Sequence, residues 1–201
     1  MPSPPASPSL LLASTSVYRA RLLERLALPF ESCDPGFDEC TESCRRPALR
    51  ARRLAAAKAA SAAAAYPERW ILASDQVAAC GGRILSKPGS QEAQTEQLTW
   101  LSGRTARFHT AVSLRAPDSA GGPRLRRAVV TTRVRLRRLT AAEIARYVAA
   151  EPAVDCCGGF RCEGLGISLF AWLRADDPTA LEGLPLLATA RLLRAAGFAV
   201  P

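Results

Sequence analysis

Apolar and polar positions fall into blocks along this chain, and the blocks change period at clear punctuation. Leu10-Leu11-Leu12-Ala13 is a short unbroken apolar run, which reads as a buried strand. Ser14-Thr15-Ser16 then supplies turn and cap residues for a helix from about Val17 to Leu26. Its Leu22, Leu23 and Leu26 point inward, while Arg19, Arg21 and Arg25 point largely outward. Pro29-Phe30 leads into an acidic loop carrying Asp34, Asp38, Glu39 and Glu42, and a long Ala- and Arg-rich helix follows from about Pro47 to Ala65. Lys58 lies one turn past Leu54 on the same stripe, an inward position for a charge. Trp70-Ile71-Leu72-Ala73-Ser74-Asp75-Gln76-Val77 is the stretch around which the rest is organised: a buried strand interrupted by a carboxylate. A buried Asp is costly unless a metal ion, a cation or a reacting water pairs with it. An Asp that caps a turn is the plainer alternative.

The second half keeps alternating. Cys80-Gly81-Gly82-Arg83 reads as a hairpin turn, so that Ile84-Leu85 returns and brings Lys87 back beside the Asp75 strand. A helix over Ser90 to Leu101 closes at Ser102-Gly103, and Phe108 to Leu114 alternates as a strand. After a turn at Asp118 to Pro123, Val129 to Leu136 sets apolar positions against Arg133, Arg135 and Arg137, a half-exposed strand with a solvated cationic face. Thr140 and Glu143 form a capping box, and Ile144, Tyr147 and Val148 give that helix its inward face. A glycine-rich loop from Gly158 to Gly166 holds Glu163, Ile167 to Leu173 reads as a strand, and a last helix begins near Pro185 and stops at Gly197. The expectation is one α/β domain over residues 10–201, a mixed twisted sheet flanked by helices, behind a disordered tail at 1–9.

Composition removes several classes of function. No apolar run approaches the roughly 18 residues that span a bilayer. The Pro- and Ser-rich start has neither a basic region nor an apolar core of signal-peptide length, so a cytoplasmic protein is expected. Seven cysteines with one histidine, and no paired C-x-x-C spacing, argue against a disulfide framework and against structural zinc. The net charge of +9 would suit a polyanionic partner, yet the arginines are scattered without interleaved aromatics, which disfavours nucleic acid. Of the 27 basic residues only Lys58 and Lys87 are lysine. An ammonium is a compact point charge that fits where a guanidinium fork does not. The strand, hydroxyl-rich turn and helix start around Ser14, with Arg19 beside them, make an anion site of the kind a phosphate uses. Ser-capped helices are common, and that stretch taken alone carries little weight.

Several stretches together resemble the Maf family of nucleotide pyrophosphatases. They are Leu-Ala-Ser-Thr-Ser-Val-Tyr-Arg at 12–19, Phe37-Asp38-Glu39, Leu54 to Ala59, Ser74-Asp75-Gln76-Val77, Lys87-Pro88 and Leu101-Ser102-Gly103. Leu139-Thr140 with Glu143-Ile144, Gly158-Gly159-Phe160, Glu163-Gly164 and Gly183-Leu184-Pro185-Leu186 continue the same order. Within the family, Asp75-Gln76 and Glu163-Gly164 are similar to the YceF-like branch acting on 7-methyl-GTP. The branch acting on dTTP and UTP has Asp-Thr and Gln-Gly there. Val17 replaces a usual Pro, Tyr18 a usual Trp, and Thr179 a usual Asn, while Ala106 stands where the wider family often has His.

The resemblance implies a Maf/ITPase-like fold with a central cleft and hydrolysis of a nucleoside triphosphate to its monophosphate and pyrophosphate. Ser14, Arg19, Lys58 and Lys87 would hold phosphates, and Glu39 and Asp75 would hold Mg²⁺ or Mn²⁺. It casts Asp75 as the proton acceptor and Tyr18, Gln76 and Glu163 as readers of the base. A small-molecule nucleotide is the expected partner, with no membrane, and a homodimer is left open. A catalytically idle nucleotide-binding regulator of cell division and a basic nucleic-acid module are the competing classes.

Overall fold

The computed structural model describes residues 9–122 and 124–201, so most of the expected N-terminal tail lies outside the described residues. Its frame is a seven-stranded sheet in the order β2-β1-β3-β5-β6-β7, with β4 paired to β3 off that path. The strands are β1 (Leu10–Ala13), β2 (Phe30–Cys33), β3 (Trp70–Cys80), β4 (Arg83–Leu85), β5 (Thr105–Arg115), β6 (Leu125–Leu136) and β7 (Phe170–Arg174). The helices are α1 (Val17–Glu24), α2 (Pro47–Ala65), α3 (Gln91–Leu101), α4 (Ala141–Ala150) and α5 (Leu186–Arg194). β1 pairs parallel with β2 and β3, and the remaining pairings are antiparallel, so the sheet is mixed as expected.

β1 lies between β2 and β3 and runs parallel to both, and all four of its residues are buried. Helices therefore cover both of its faces, which is why its sequence shows no alternation. On one face Leu11, Ala13, Ile71 and Ala73 pack against Ala59, Ala62 and Ala63 of α2. The alanines of α2 let the helix lie close to the sheet, and this carries Lys58 down to β3. On the other face Leu10, Leu12 and Leu72 meet Leu22 and Leu23 of α1 and Leu186, Leu192 and Leu193 of α5. A further core gathers Phe108, Leu98, Leu101, Ile144 and Phe160 under α3 and α4.

Two local expectations need correction. Phe30–Cys33 is a strand and not merely the entry to an acidic loop. The expected strand at Ile167 begins only at Phe170, because Leu165–Leu169 forms a 3₁₀ helix. The expected Gly81-Gly82 turn is present, with φ of +56° and +80°, a pair of left-handed conformations that glycine adopts without steric cost.

Candidate active site

The C-terminal end of β1, the middle of β3 and the loop after α4 enclose a cleft of about 1030 Å³. That volume suits a nucleotide-sized ligand. Ser14, Tyr18, Arg19, Glu39, Lys58, Asp75, Gln76, Lys87 and Glu163 all line it. Residues separated by as much as the span from Ser14 to Glu163 thus share one space.

At its floor sits Asp75, 4% exposed, in the interior of β3. The Nζ of Lys58 lies 2.6 Å from Asp75 Oδ1 and 2.5 Å from Glu39 Oε1. One ammonium therefore ties α2, β3 and the short 3₁₀ turn Glu39–Thr41 together. Burial lifts the Asp75 carboxyl above the usual Asp range, and Lys58 and Arg19 only partly oppose that. Burial would lift Glu39 too, but Lys58, backed by Lys87 and Arg19, holds it below the usual Glu range. Two carboxylates sharing one cation are thus pushed apart, Asp75 toward holding a proton and Glu39 toward remaining ionised.

One wall of the cleft is built at the start of α1. Ser14 Oγ accepts from Ser16 N at 3.1 Å and from Arg19 Nη1 at 3.3 Å, and Arg19 Nε donates to Gly183 O at 3.1 Å. Ser16 caps the helix by accepting from Arg19 N. Arg19 is therefore held at the cleft wall by two partners. Lys87 is exposed after β4, with no ion-pair partner among the described residues.

Gln76, which also lines the cleft, is already committed to internal partners. Gln76 Nε2 lies 2.9 Å from Thr110 Oγ1, 3.0 Å from Ala180 O and 3.1 Å from Leu181 O. Those acceptors consume its N–H groups and leave its amide oxygen as the atom it can offer. Tyr18, in the first turn of α1, and exposed Glu163 stand at the rim.

The Maf-like protein family model matches residues 9–196. The chain belongs to the Maf family. It is 54% identical over 194 residues to a 7-methyl-GTP pyrophosphatase of Xanthomonas axonopodis pv. citri, covering 96% of this chain and 100% of that protein. It is 46% identical over 192 residues to a 7-methyl-GTP pyrophosphatase of Aromatoleum aromaticum, covering 96% and 97%. Among solved structures, a nucleoside-triphosphatase/dITP/XTP pyrophosphatase from Mycobacterium abscessus aligns at a TM-score of 0.44 and 18% identity, over 94% of this chain and 95% of that one.

The Thr179 departure from the Maf pattern is accommodated by structure. Its hydroxyl lies 2.9 Å from Asp177 Oδ1 and 2.8 Å from Leu184 O, with one proton to share between them, and accepts from Leu186 N, so it pins the loop that carries Gly183 into the cleft.

Glu151 and Arg161 also matter to this Maf cleft, and the sequence did not single them out. Glu151, just past α4, accepts from Leu165 N at 3.2 Å, Gly166 N at 3.1 Å and Tyr147 Oη at 2.7 Å. It holds the loop on which Glu163 stands. A Cβ at Gly164 would collide with that carboxylate, and one at Gly166 with the main chain of Arg161. Those two glycines were the available signal.

Cys156, Cys157 and Cys162 line the cleft as well, and all seven cysteines are free thiols. Burial pushes the Cys156 thiol up to about 11 and raises Cys157 likewise, so both stay protonated and unreactive near neutral pH. Among the described residues no group of three or more His, Cys, Asp or Glu side chains could hold a metal by itself. Glu39 and Asp75 nevertheless meet at one cation, Lys58 Nζ. Two carboxylates completed by substrate phosphates suit Mg²⁺, which seldom needs an all-protein cage.

Proposed function

We propose that this chain hydrolyses 7-methyl-GTP to 7-methyl-GMP and pyrophosphate, clearing a modified nucleotide from the cytoplasmic pool. The observation that carries the reading is the buried Asp75, held raised and paired with Lys58 in a cleft whose rim bears Tyr18 and Glu163. The names of the Xanthomonas and Aromatoleum relatives support the substrate. No helix among the described residues is long and apolar enough to cross a membrane, in keeping with a substrate dissolved in water.

Asp75 takes a proton from water as the water oxygen bonds to the α-phosphorus. The bond from that phosphorus to the bridging oxygen of the β-phosphate breaks, and pyrophosphate leaves with the electron pair. A base works best when its pKa lies near the working pH, and burial moves Asp75 in that direction. Arg19, Lys87 and the amides at the start of α1 oppose the charge gathering on the leaving group. Lys58 keeps Asp75 oriented and prevents burial from neutralising it outright. Glu39 and Asp75 would hold a bound Mg²⁺ or Mn²⁺, which would neutralise phosphate charge and acidify water.

At the base, methylation at N7 gives guanine a delocalised positive charge. The Tyr18 ring then gains a cation–π contribution of about 0.5–2 kcal/mol that neutral guanine does not match. Glu163 accepts from N1–H and the 2-amino group, and its charge opposes that of the base. Uracil and thymine set two carbonyl oxygens around a single N–H at that edge, so Glu163 repels them. Pyrophosphate release from 7-methyl-GTP, GTP, UTP and dTTP, each with and without Mg²⁺ or Mn²⁺, tests the reading. Faster release from UTP or dTTP than from 7-methyl-GTP overturns the substrate, and no release from any nucleotide overturns the enzyme.

A further inference from the structure

Resting on that reading of the cleft, we propose that Arg161 is a base-specificity residue, donating a hydrogen bond to the O6 carbonyl of guanine beside Glu163. Guanine's Watson–Crick edge offers one acceptor, O6, and two donors, N1–H and the 2-amino group. Glu163, acceptor-only when ionised, satisfies the donors and leaves O6 unmatched. Gln76 is not free to serve O6, because its amide nitrogen is spent on Thr110, Ala180 and Leu181.

Arg161 stands two residues before Glu163 and lines the same cleft. Its guanidinium carbon lies 5.7 Å from the centre of the Tyr18 ring, so the group already reaches the surface on which the base stacks. Its Nη2 donates to Asp155 Oδ1 at 2.9 Å, while its Nε is buried and has no acceptor among the described residues. A buried N–H without a partner costs free energy that a ligand carbonyl returns on binding. The Asp155 contact matters a second time, because it offsets a positive charge that would otherwise oppose a cationic base.

The main chain beneath this side chain is fixed. Arg161 N donates to Tyr147 Oη at 3.2 Å, and Gly166 packs against the Arg161 carbonyl. The guanidinium therefore swings from a pinned point, from the face of Tyr18 to the edge of the arriving base, with Nη2 staying on Asp155. Adenine carries an amino group where guanine carries O6. A donor then meets a donor, and a site built to hydrogen-bond one group rejects the analogue that lacks it. Arg161 thus separates guanine from adenine, while Tyr18 separates methylated from plain guanine.

The test is pyrophosphate release by the wild type, Arg161→Met and Arg161→Lys on 7-methyl-GTP, GTP, ITP and ATP. ITP keeps O6 and N1–H and lacks only the 2-amino group. The Met variant should lose about ten- to a hundredfold in kcat/KM on the three substrates with O6, chiefly through KM, the range for a hydrogen bond to a charged group. ATP should be unchanged, and Lys should restore part of the loss. Equal losses on ATP overturn the proposal in favour of a general phosphate or structural role. A gain on GTP overturns it in favour of an arginine that merely shields Tyr18. Wild-type protein with no activity on any guanine nucleotide removes the proposed function and this inference together, whereas an active wild type with either other outcome removes this inference alone.

Discussion

Replacing Lys58 by Met tests the bridge at the floor of the cleft, because the change keeps most of the apolar stem and removes the ammonium that makes both contacts. Lys58 and Asp75 are both buried, at 6% and 4% exposure, so the variant strands a carboxylate without its counter-ion. Breaking a buried pair in this way costs about 3–5 kcal/mol. The contact with Glu39 adds less than about 1 kcal/mol, since the Glu39 side chain is 54% exposed. The penalty depends on pH, with a definite sign. Burial already raises Asp75 in the folded protein above its unfolded value, and removing Lys58 raises it further. The folded variant then binds a proton that the unfolded chain has released, and its stability falls as pH rises from the unfolded carboxyl range through the new folded value. Glu39 adds to this, because its lowered value stabilises the wild type above the unfolded carboxyl range and is lost with Lys58. Urea unfolding followed by circular dichroism, at pH 4.5 and pH 7.5, reads the effect. The difference between variant and wild type should be large at pH 7.5 and clearly smaller at pH 4.5. Adding Asp75→Asn should recover most of it. A difference under about 1 kcal/mol at neutral pH, the range of an exposed pair, would refute the buried-bridge reasoning.

The remaining expectations concern turnover and base choice. Asp75→Asn should fold normally, with Asn still accepting from Lys58, and should lose about 10²–10⁴-fold in kcat, the usual worth of one positioned acid–base group; near-normal turnover would remove Asp75 from the chemistry. Lys58→Arg should impair kcat/KM more than Lys87→Arg, because a guanidinium must be forced into a buried site in the first and stands in solvent in the second; equal effects on steady-state kinetics would contradict this. Glu163→Gln should lower kcat/KM for 7-methyl-GTP and narrow its advantage over UTP, since Gln can donate to a pyrimidine carbonyl as well as accept. An unchanged ratio of the two substrates would return Glu163 to the role of a solvated loop acid.

What the sequence disclosed of this site, and what it hid, follows from how far each residue's partner lies along the chain. The α2 helix was legible to its ends because Pro47 opens it and its alanine stripe has a single periodic reading. The inward place of Lys58 followed from that stripe alone. That its ammonium joins Glu39 to Asp75 was not legible, because the contact depends on α2 lying close against β3. The β2 strand escaped notice because it is held by main-chain pairing to β1, while Glu31 and Ser32 are exposed and give it no apolar face. Glu151 looked like an ordinary acid at a helix end. Beyond the Tyr147 hydroxyl one turn back, its partners are main-chain amides 14 and 15 residues onward, which no side-chain pattern encodes. The only trace it leaves is in the residues it excludes: Gly164, where a Cβ would strike it, and Gly166, whose amide it holds against Arg161. Those contacts also move the start of β7 from Ile167 to Phe170, since the chain must complete its turn around the Glu151 carboxylate before it can extend. The shifted strand and the fixed height of Glu163 in the cleft are therefore two consequences of one half-buried acceptor.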